Sequence, residues 1–343
     1  MRTPIAIMLA ALAAGGVAGA AEIAGPAKLH GRAAFKARYA RPTAIPFPAA
    51  NAFSAERAEL GKALFFDPRL SRSGIVSCAT CHNPAFGWSD GQPLAVGDGM
   101  RTLGRRTPTI LNLAWAETLF WDGRAASLEE QALGPIAAPG EMNRELGSMA
   151  RLVKSIPGYR AWFERAYPRE ALTPALVAKA IATFERTVVS GAAPFDRWIE
   201  GEEAAIGEGA KRGFDLFNGK ANCEKCHTGW AFTDDGFHDT GVASPDLGRG
   251  KYLKGLESMQ YAFKTPTLRR VAAGGGPYLH NGSAPTLAAV VDFYDRGGEV
   301  ARPSLAPEMK PLHLTAGEKR DLLAFLETLV SAGSPVTLPV LPR

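Results

Sequence analysis

The chain has 343 residues, 46% of them hydrophobic, and a net charge of +5 at pH 7. The length allows two domains with ordinary cores. The small positive surplus contains no long run of lysine or arginine. It therefore argues against a nucleic-acid-binding protein and is compatible with an acidic protein partner.

The chain begins with the apolar segment MRTPIAIMLAALAAGGVAGAAE, in which one arginine precedes the apolar run and small residues follow it. This order is typical of a secretory signal peptide, predicted over residues 1–20 with cleavage near Ala20 or Ala21. The apolar run is too short to span a bilayer comfortably, and no later segment resembles a membrane span. We therefore expect an exported, periplasmic protein with no membrane attachment after the signal is removed.

A Cys-x-x-Cys-His pattern occurs twice, as Cys78, Cys81 and His82 in SCATCH and as Cys223, Cys226 and His227 in CEKCH. In c-type cytochromes the two thiols form thioethers with haem and the histidine binds its iron. Zinc sites also use paired cysteines, but two copies that both keep the histidine, in an exported chain, favour haem. We predict two covalently bound haem c groups, with both histidines as iron ligands and no disulfides.

A longer repeat surrounds the two motifs. The segments ELGKALFFDPRLSRSGIVSCATCH and AKRGFDLFNGKANCEKCH resemble each other, and a TPT triplet follows each, at positions 107 and 265. Because the order of parts is kept, two tandem haem domains are the simplest explanation. The alternation typical of strands is scarce. We predict a mainly helical fold with two cytochrome c-like domains, residues 21–199 and 200–343, and long ordered loops.

Two helices are predicted from their first residues. Thr173 can cap a helix that begins at Pro174, and apolar residues then recur at helical spacing. Thr315 and Glu318 form a capping box ahead of a closing amphipathic helix. The acidic, glycine-rich stretch 200–210 between these helices is predicted to be a linker.

The repeat also indicates what lies opposite each iron-binding histidine. No histidine occurs between residues 83 and 226, so the rest of the first domain offers no second histidine ligand. Aligning LFWDGRAASLEEQALGP with YLHNGSAPTLAAVVDFY places Trp121 opposite His280 and Pro135 opposite Tyr294. A tyrosine can bind haem iron and a proline cannot. Either Tyr294 closes the second iron and leaves the first open, or Tyr294 only packs in a helix.

The segments LGKALFFDPRLS, SCATCH, RTPTILN, FWDGRAASLEEQALGP, EMN, FKTPTLR and PYLHNGS, in this order, resemble the bacterial di-haem cytochrome c peroxidases and the related MauG enzymes. The resemblance implies that the first haem reacts with peroxide and that the second passes in electrons. It also implies Glu141 as the distal acid–base group, Gln131 in the same pocket and Trp121 between the haems. A carboxylate over the iron can move a proton between the peroxide oxygens.

Three positions depart from the family pattern. Asp98 stands where members carry a histidine that binds the first iron until activation, and Tyr294 stands where the second iron often has a methionine; both changes resemble MauG. The family also commonly holds calcium between the haems through an asparagine, which Arg106 replaces here. Since a guanidinium offers no acceptor to a cation, calcium is doubtful, although carbonyl oxygens near Gly275 and Pro277 could form a weaker site.

The leading hypothesis is a periplasmic enzyme that reduces hydrogen peroxide to water with electrons from a small cytochrome c or cupredoxin. The alternative is a MauG-like enzyme that uses peroxide and high-valent haems to oxidise aromatic residues of a partner protein. A third possibility is a di-haem electron-transfer cytochrome, which would need two ligands from the protein on each iron. A zinc-binding structural protein is the fourth.

Overall fold

The computed structural model describes residues 34–274, 276–333 and 335–343. The predicted signal peptide and Gly275 therefore lie outside the described residues. Within the described ranges, no helix is both long enough and apolar enough to cross a membrane.

The described part of the chain is mainly helical, as predicted. Its α-helices are α1 (Ala55–Phe66), α2 (Cys78–Cys81), α3 (Leu128–Ala137), α4 (Leu146–Ser155), α5 (Pro157–Ala166), α6 (Pro174–Arg186), α7 (Pro194–Ile199), α8 (Glu208–Phe217), α9 (Leu287–Asp295) and α10 (Ala316–Glu327). Two short strands, β1 (Phe237–His238) and β2 (Phe263–Lys264), pair antiparallel. Loops with short 3₁₀ turns connect these elements and carry much of the site.

Both helix starts predicted from the sequence are confirmed. The Thr173 side chain accepts a hydrogen bond from the backbone of Leu176, and α6 begins at Pro174. Thr315 and Glu318 form the reciprocal capping box at the start of α10. The prediction of a linker over residues 200–210 is wrong in part, because a 3₁₀ turn and the first residues of α8 lie inside it.

Two helix pairs cross at a glycine, one pair in each copy of the repeat. A Cβ atom on Gly61 of α1 would lie 1.9 Å from the Ala180 carbonyl oxygen of α6. A Cβ atom on Gly213 of α8 would lie 2.0 Å from the Asp321 carbonyl oxygen of α10. Only glycine allows backbones to approach so closely. Thus α1, which precedes the first Cys-x-x-Cys-His motif, is crossed by α6. In the same way α8, which precedes the second motif, is crossed by α10.

Each half has its own apolar core, and the chain ends pack on the opposite one. The first core is built mainly from α1 and α3 to α6, and the second from α7, α8 and α10. Tyr39, near the start, stacks on Phe232 of the second core with ring centroids 4.7 Å apart. Val336 and Leu341, near the end, pack on the first core. The domain boundary at residues 199 and 200 stays a prediction.

Candidate functional site

A cavity of about 900 Å³ is lined by residues from both Cys-x-x-Cys-His motifs. The structure brings every site residue predicted from the sequence to this cavity: Cys78, Cys81, His82, Trp121, Gln131, Glu141, Cys223, Cys226, His227 and Tyr294. The two halves of the molecule therefore share one space in which two large cofactors can lie close together.

The two motif histidines have the same geometry. The Nδ1 atom of His82 lies 3.2 Å from the carbonyl oxygen of Trp88, and that of His227 lies 2.9 Å from the carbonyl oxygen of Phe232. A donating Nδ1–H leaves the Nε2 lone pair free for a metal. Burial lowers the pKa of both imidazoles from their usual value. Both rings are therefore held in the neutral form that binds iron.

The cysteines do not form a zinc centre among the described residues. All four are free thiols. One group of three side chains has ligand atoms close enough to hold a metal ion, namely Cys226, Asp234 and His238, and it includes a single cysteine. A structural zinc site of the Cys₂ or Cys₄ kind needs sulfurs that converge on one point. The zinc hypothesis therefore has no geometric support in this part of the chain.

Among the described residues, four buried donor or acceptor atoms along the cavity lack a protein partner: Arg106 Nε, Glu185 Oε2, Arg269 Nη2 and His280 Nε2. Buried polar groups in proteins are nearly always hydrogen-bonded, so such atoms need a partner of another kind. The propionate carboxylates of haem are acceptors suited to guanidinium groups. Together with the two oriented histidines and four free thiols, these atoms fit two haem groups.

On the first side of the cavity, α3 and the loop after it supply Gln131, Pro135 and Glu141. Ser127 caps α3 by accepting a hydrogen bond from the backbone of Glu130. Glu141 is half-buried, and burial raises the pKa of its carboxyl group above the usual value. A carboxyl group whose pKa is raised holds a proton more readily than an ordinary glutamate, which suits a group that accepts and returns a proton.

The loop that carries Asp98 fixes the loop that carries Glu141. The Asp98 backbone N–H donates to the Glu141 carbonyl oxygen over 2.6 Å. Gly97 lies so close that a Cβ atom there would be 1.9 Å from the Gly140 carbonyl oxygen. The Asp98 carboxylate is buried, accepts from the Ser73 backbone at 3.3 Å, and lies outside the cavity lining. This loop thus holds Glu141 in place and offers no side chain to an iron.

On the second side, α9 presents Tyr294 to the cavity near the cysteines of the second motif. Thr286 caps α9 as Ser127 caps α3, by accepting from a backbone N–H three residues later. The caps are 159 residues apart, as are Pro135 and Tyr294. The structure therefore supports the alignment of the repeat at these two positions, and burial raises the pKa of the Tyr294 phenol.

Trp121 lies where the two halves meet. Its indole N–H donates to the Arg106 carbonyl oxygen at 2.8 Å, and its own carbonyl accepts from the Lys264 backbone. Its ring meets the His280 ring edge-on, with centroids 6.5 Å apart. His280 in turn stacks on Phe263 at 3.6 Å. A chain of aromatic rings therefore crosses the boundary between the halves inside the cavity.

Sequence reasoning missed Glu185 and Arg269. Glu185 of α6 is only 5% exposed and lines the cavity, and burial raises its pKa to about 8. Its Oε2 atom has no hydrogen-bond partner in the part of the chain that the structure describes. Arg269 pairs with the buried Asp196 through Nη1, and its Nη2 atom likewise has no partner there. A charged residue among the apolar positions of a predicted core helix was the available signal for Glu185. The arginine pair one residue after the second TPT triplet was the signal for Arg269.

Residues 55–204 match the family model described as di-haem cytochrome c peroxidase. The methylamine utilization protein MauG of Methylorubrum extorquens is 56% identical over 88% of this chain and 86% of its own length. The cytochrome c551 peroxidase of Nitrosomonas europaea is 36% identical over 87% of this chain and 86% of its own length. A crystal structure of a MauG-like protein associated with microbial copper homeostasis is 31% identical, with a TM-score of 0.78 over 85% of this chain and 95% of that chain.

The likenesses to these two relatives and to the solved structure each cover 85% or more of this chain. The chain belongs to the di-haem cytochrome c peroxidase family, which includes the MauG proteins. It is an oxidoreductase of the peroxidase type with haem as its cofactor, and the fold of two haem domains agrees with the solved relatives. The leading hypothesis from the sequence is thereby confirmed at this level.

Proposed function

We propose that the protein reduces hydrogen peroxide at the haem of the first half and draws the electrons through the second half from a partner protein. The observation that carries this proposal is an asymmetry across one cavity. Glu141 and Gln131 line it on the side of His82, where Pro135 occupies the position that Tyr294 occupies on the side of His227. A proline leaves an iron open to peroxide, and a tyrosine can close one.

When bound, the haem iron supplies the peroxide-binding position and the electron-transfer chemistry. Hydrogen peroxide then takes up two electrons and two protons and yields two water molecules. The proposed role of Glu141 is to accept the proton of the inner peroxide oxygen and return it to the outer one. Its raised pKa, which follows from burial, supports this role. Gln131 would orient the peroxide, and Trp121 would carry electrons between the halves.

Two kinds of electron donor fit this scheme. A small cytochrome c or cupredoxin would make the protein a peroxide-scavenging enzyme. Aromatic residues of a partner protein would make it a MauG-like tailoring enzyme, and two observations favour this second candidate. Tyr294 lines the second half of the cavity, and the Asp98 loop offers no histidine to the first iron. The 56% identity with a MauG protein agrees with it.

The first experiment adds one equivalent of hydrogen peroxide to the purified, fully oxidised protein without reductant and follows the haem absorbance. We expect an immediate change, because the first iron is proposed to be open at rest. A change only after one haem has been reduced would contradict the proposal. The donor is then identified by turnover: rapid multiple turnover with reduced cytochrome indicates scavenging, and slow stoichiometric oxidation of a partner indicates tailoring.

We also propose that the mature protein is periplasmic and carries both haems covalently, at Cys78 and Cys81 and at Cys223 and Cys226. The apolar N-terminal segment and the two Cys-x-x-Cys-His motifs support this. Mass spectrometry of the denatured protein should give the mass of the chain without residues 1–20 plus two haem groups. A full-length mass, or haem lost on denaturation, would contradict this part of the proposal.

A further inference from the structure

Arg106 lies at the junction of the two halves. Its backbone N–H donates to the carbonyl oxygen of His280, and its carbonyl oxygen accepts from the indole of Trp121, both at 2.8 Å. Trp121 and His280 occupy equivalent positions in the two copies of the repeat. The Arg106 backbone therefore bridges the two cofactor-facing loops, and its side chain lines the cavity that they share.

The guanidinium of Arg106 has no hydrogen-bond partner among the described residues, and its Nε atom is fully buried. The neighbouring Arg105 is different, since it pairs with Asp246 at 2.6 Å and with Asp122 at 2.6 Å. Burial lowers the pKa of Arg106, and Asp90 opposes this effect. An arginine side chain nevertheless keeps its charge in proteins. A positive charge without a hydrogen-bond partner among the described residues thus faces the cavity at the junction of the two halves.

This arrangement does not fit a calcium ion at the same place. Calcium needs six to eight oxygen ligands, mostly carboxylates and carbonyls. Arg106 offers only donors and repels a second cation. Its carbonyl oxygen and that of His280 already accept hydrogen bonds. The group of metal-ligating side chains found in the described ranges consists of Cys226 of the second motif with Asp234 and His238, and it does not include Arg106 or His280.

We propose that Arg106 itself supplies the positive charge between the two haems, that its guanidinium pairs with a haem propionate, and that no calcium binds there. The inference rests on the proposed pair of haem sites. A fixed cation stabilises the reduced, less positive state of a nearby iron, so Arg106 raises the midpoint potentials of the haems. Since the charge belongs to the chain, these potentials do not depend on divalent ions.

The test uses the purified, haem-loaded protein. Its calcium content is measured by atomic emission after dialysis, and the two midpoint potentials are measured with and without EDTA. We expect less than one tenth of a calcium per chain and potentials that EDTA does not change. One tightly bound calcium per chain, or potentials that shift when EDTA removes it, would overturn the inference.

Variants extend the test to the side chain itself. Arg106→Gln should lower at least one midpoint potential, Arg106→Lys should keep most of the wild-type value, and Arg101→Gln, which removes an exposed arginine earlier in the same loop, should change neither. Equal potentials in all three variants would overturn the inference. These readouts do not depend on peroxide. A protein that is inert to peroxide but shows the expected calcium content and potentials would contradict the proposed function and leave this inference standing.

Discussion

The two halves of the molecule are built from the same parts, yet they present different side chains to the shared cavity. Equivalent loops contain left-handed residues at Phe120 and Leu279, with φ of 68° and 67°, each eight residues before the first residue of its capped helix. Three equivalent positions differ in kind: Pro135 and Tyr294, Trp121 and His280, Glu185 and Leu326. The pairing of Glu185 with Leu326 follows from the two crossing glycines. Gly61 lies against Ala180 and Gly213 lies against Asp321, and Glu185 and Leu326 each follow these contact residues by five positions.

Two of these differences support the proposal that the first half is the reactive one. It has a proline where the second half has a tyrosine, and a buried carboxyl group where the second half has a leucine. Glu141, on the loop after α3, adds a second carboxyl group to the first side of the cavity. Open coordination and nearby proton carriers suit peroxide chemistry, whereas a closed, apolar site suits electron transfer. In the proposed function the repeat therefore provides the scaffold, and a few substitutions on it separate the two roles.

The largest effect is expected from Glu141→Gln, which removes the proposed proton carrier from the reactive half. The rate of the reaction of oxidised protein with peroxide should fall by roughly 10²- to 10⁴-fold. In the wild type this rate should rise with pH through a pKa above 4.5, the usual value for glutamate, because burial raises the pKa of Glu141. Stopped-flow absorbance at several pH values measures both effects.

Glu117→Gln removes an exposed carboxylate of the same half and is the control for this experiment. It should react at the wild-type rate. If Glu141→Gln also reacts at that rate, the proton carrier is another group, and Glu185 becomes the next candidate.

Tyr294→Phe tests the other half. If the phenol closes the second iron, its loss should alter the low-spin haem and raise the potential of that haem, since a tyrosine ligand stabilises the oxidised iron. The high-spin haem of the first half should be unaffected. Electron paramagnetic resonance of the oxidised protein distinguishes the two haems, and Tyr261→Phe, at a tyrosine outside the cavity lining, is the matched control. A change confined to the high-spin haem would reverse the assignment of the two halves.

Much of this comparison could be predicted from the sequence because it depends on local signals. The Cys-x-x-Cys-His motifs, the capped helices and the spacing of Pro135 and Tyr294 are all visible as patterns along the chain. The environment of Glu185 is not visible in the sequence, because its burial depends on how α6 crosses α1 in three dimensions. The bridging position of Arg106 is likewise a tertiary contact with His280, 174 residues away in the sequence. The extent of the linker was misjudged because glycine and acidic residues also occur at helix starts, as in α8.

Glu185 also makes the first half sensitive to pH. Its folded pKa of about 8 lies above the ordinary 4.5, so the folded state keeps a proton that the unfolded state has already lost at intermediate pH. Its contribution to stability is fully present below about pH 4.5 and is lost as pH rises through about 8. One such group changes the free energy of unfolding by at most about 1.4 kcal/mol per pH unit.

Glu185→Gln and Glu185→Leu should both reduce the change in the free energy of unfolding between pH 4.5 and 8. The second variant introduces the leucine that the second half has at the equivalent position, Leu326. Urea unfolding followed by circular dichroism at a series of pH values gives the slopes. Glu164→Gln, at an exposed position on α5, is the control. If the free energy of unfolding depends on pH equally in the wild type and in both Glu185 variants, Glu185 is ionised in the folded protein. This would be the case, for example, if the haem brings near Glu185 a group that stabilises its charge.

The smallest effects concern the scaffold that the two halves share. Gly61→Ala and Gly213→Ala each place a Cβ atom about 2 Å from a backbone oxygen of the crossing helix, so the helices must separate. Overpacking of this kind costs roughly 1–3 kcal/mol.

Gly317→Ala is the matched control, because a Cβ atom in the first turn of α10 would meet its nearest neighbour at 3.8 Å. Alanine there should stabilise the protein by up to about 1 kcal/mol, since glycine is the poorer helix former. If both crossing variants lose stability by similar amounts while the control gains, the two crossings are equivalent, and the functional difference between the halves lies in the side chains that face the cavity. If only one crossing variant loses stability, the halves differ already in their scaffold.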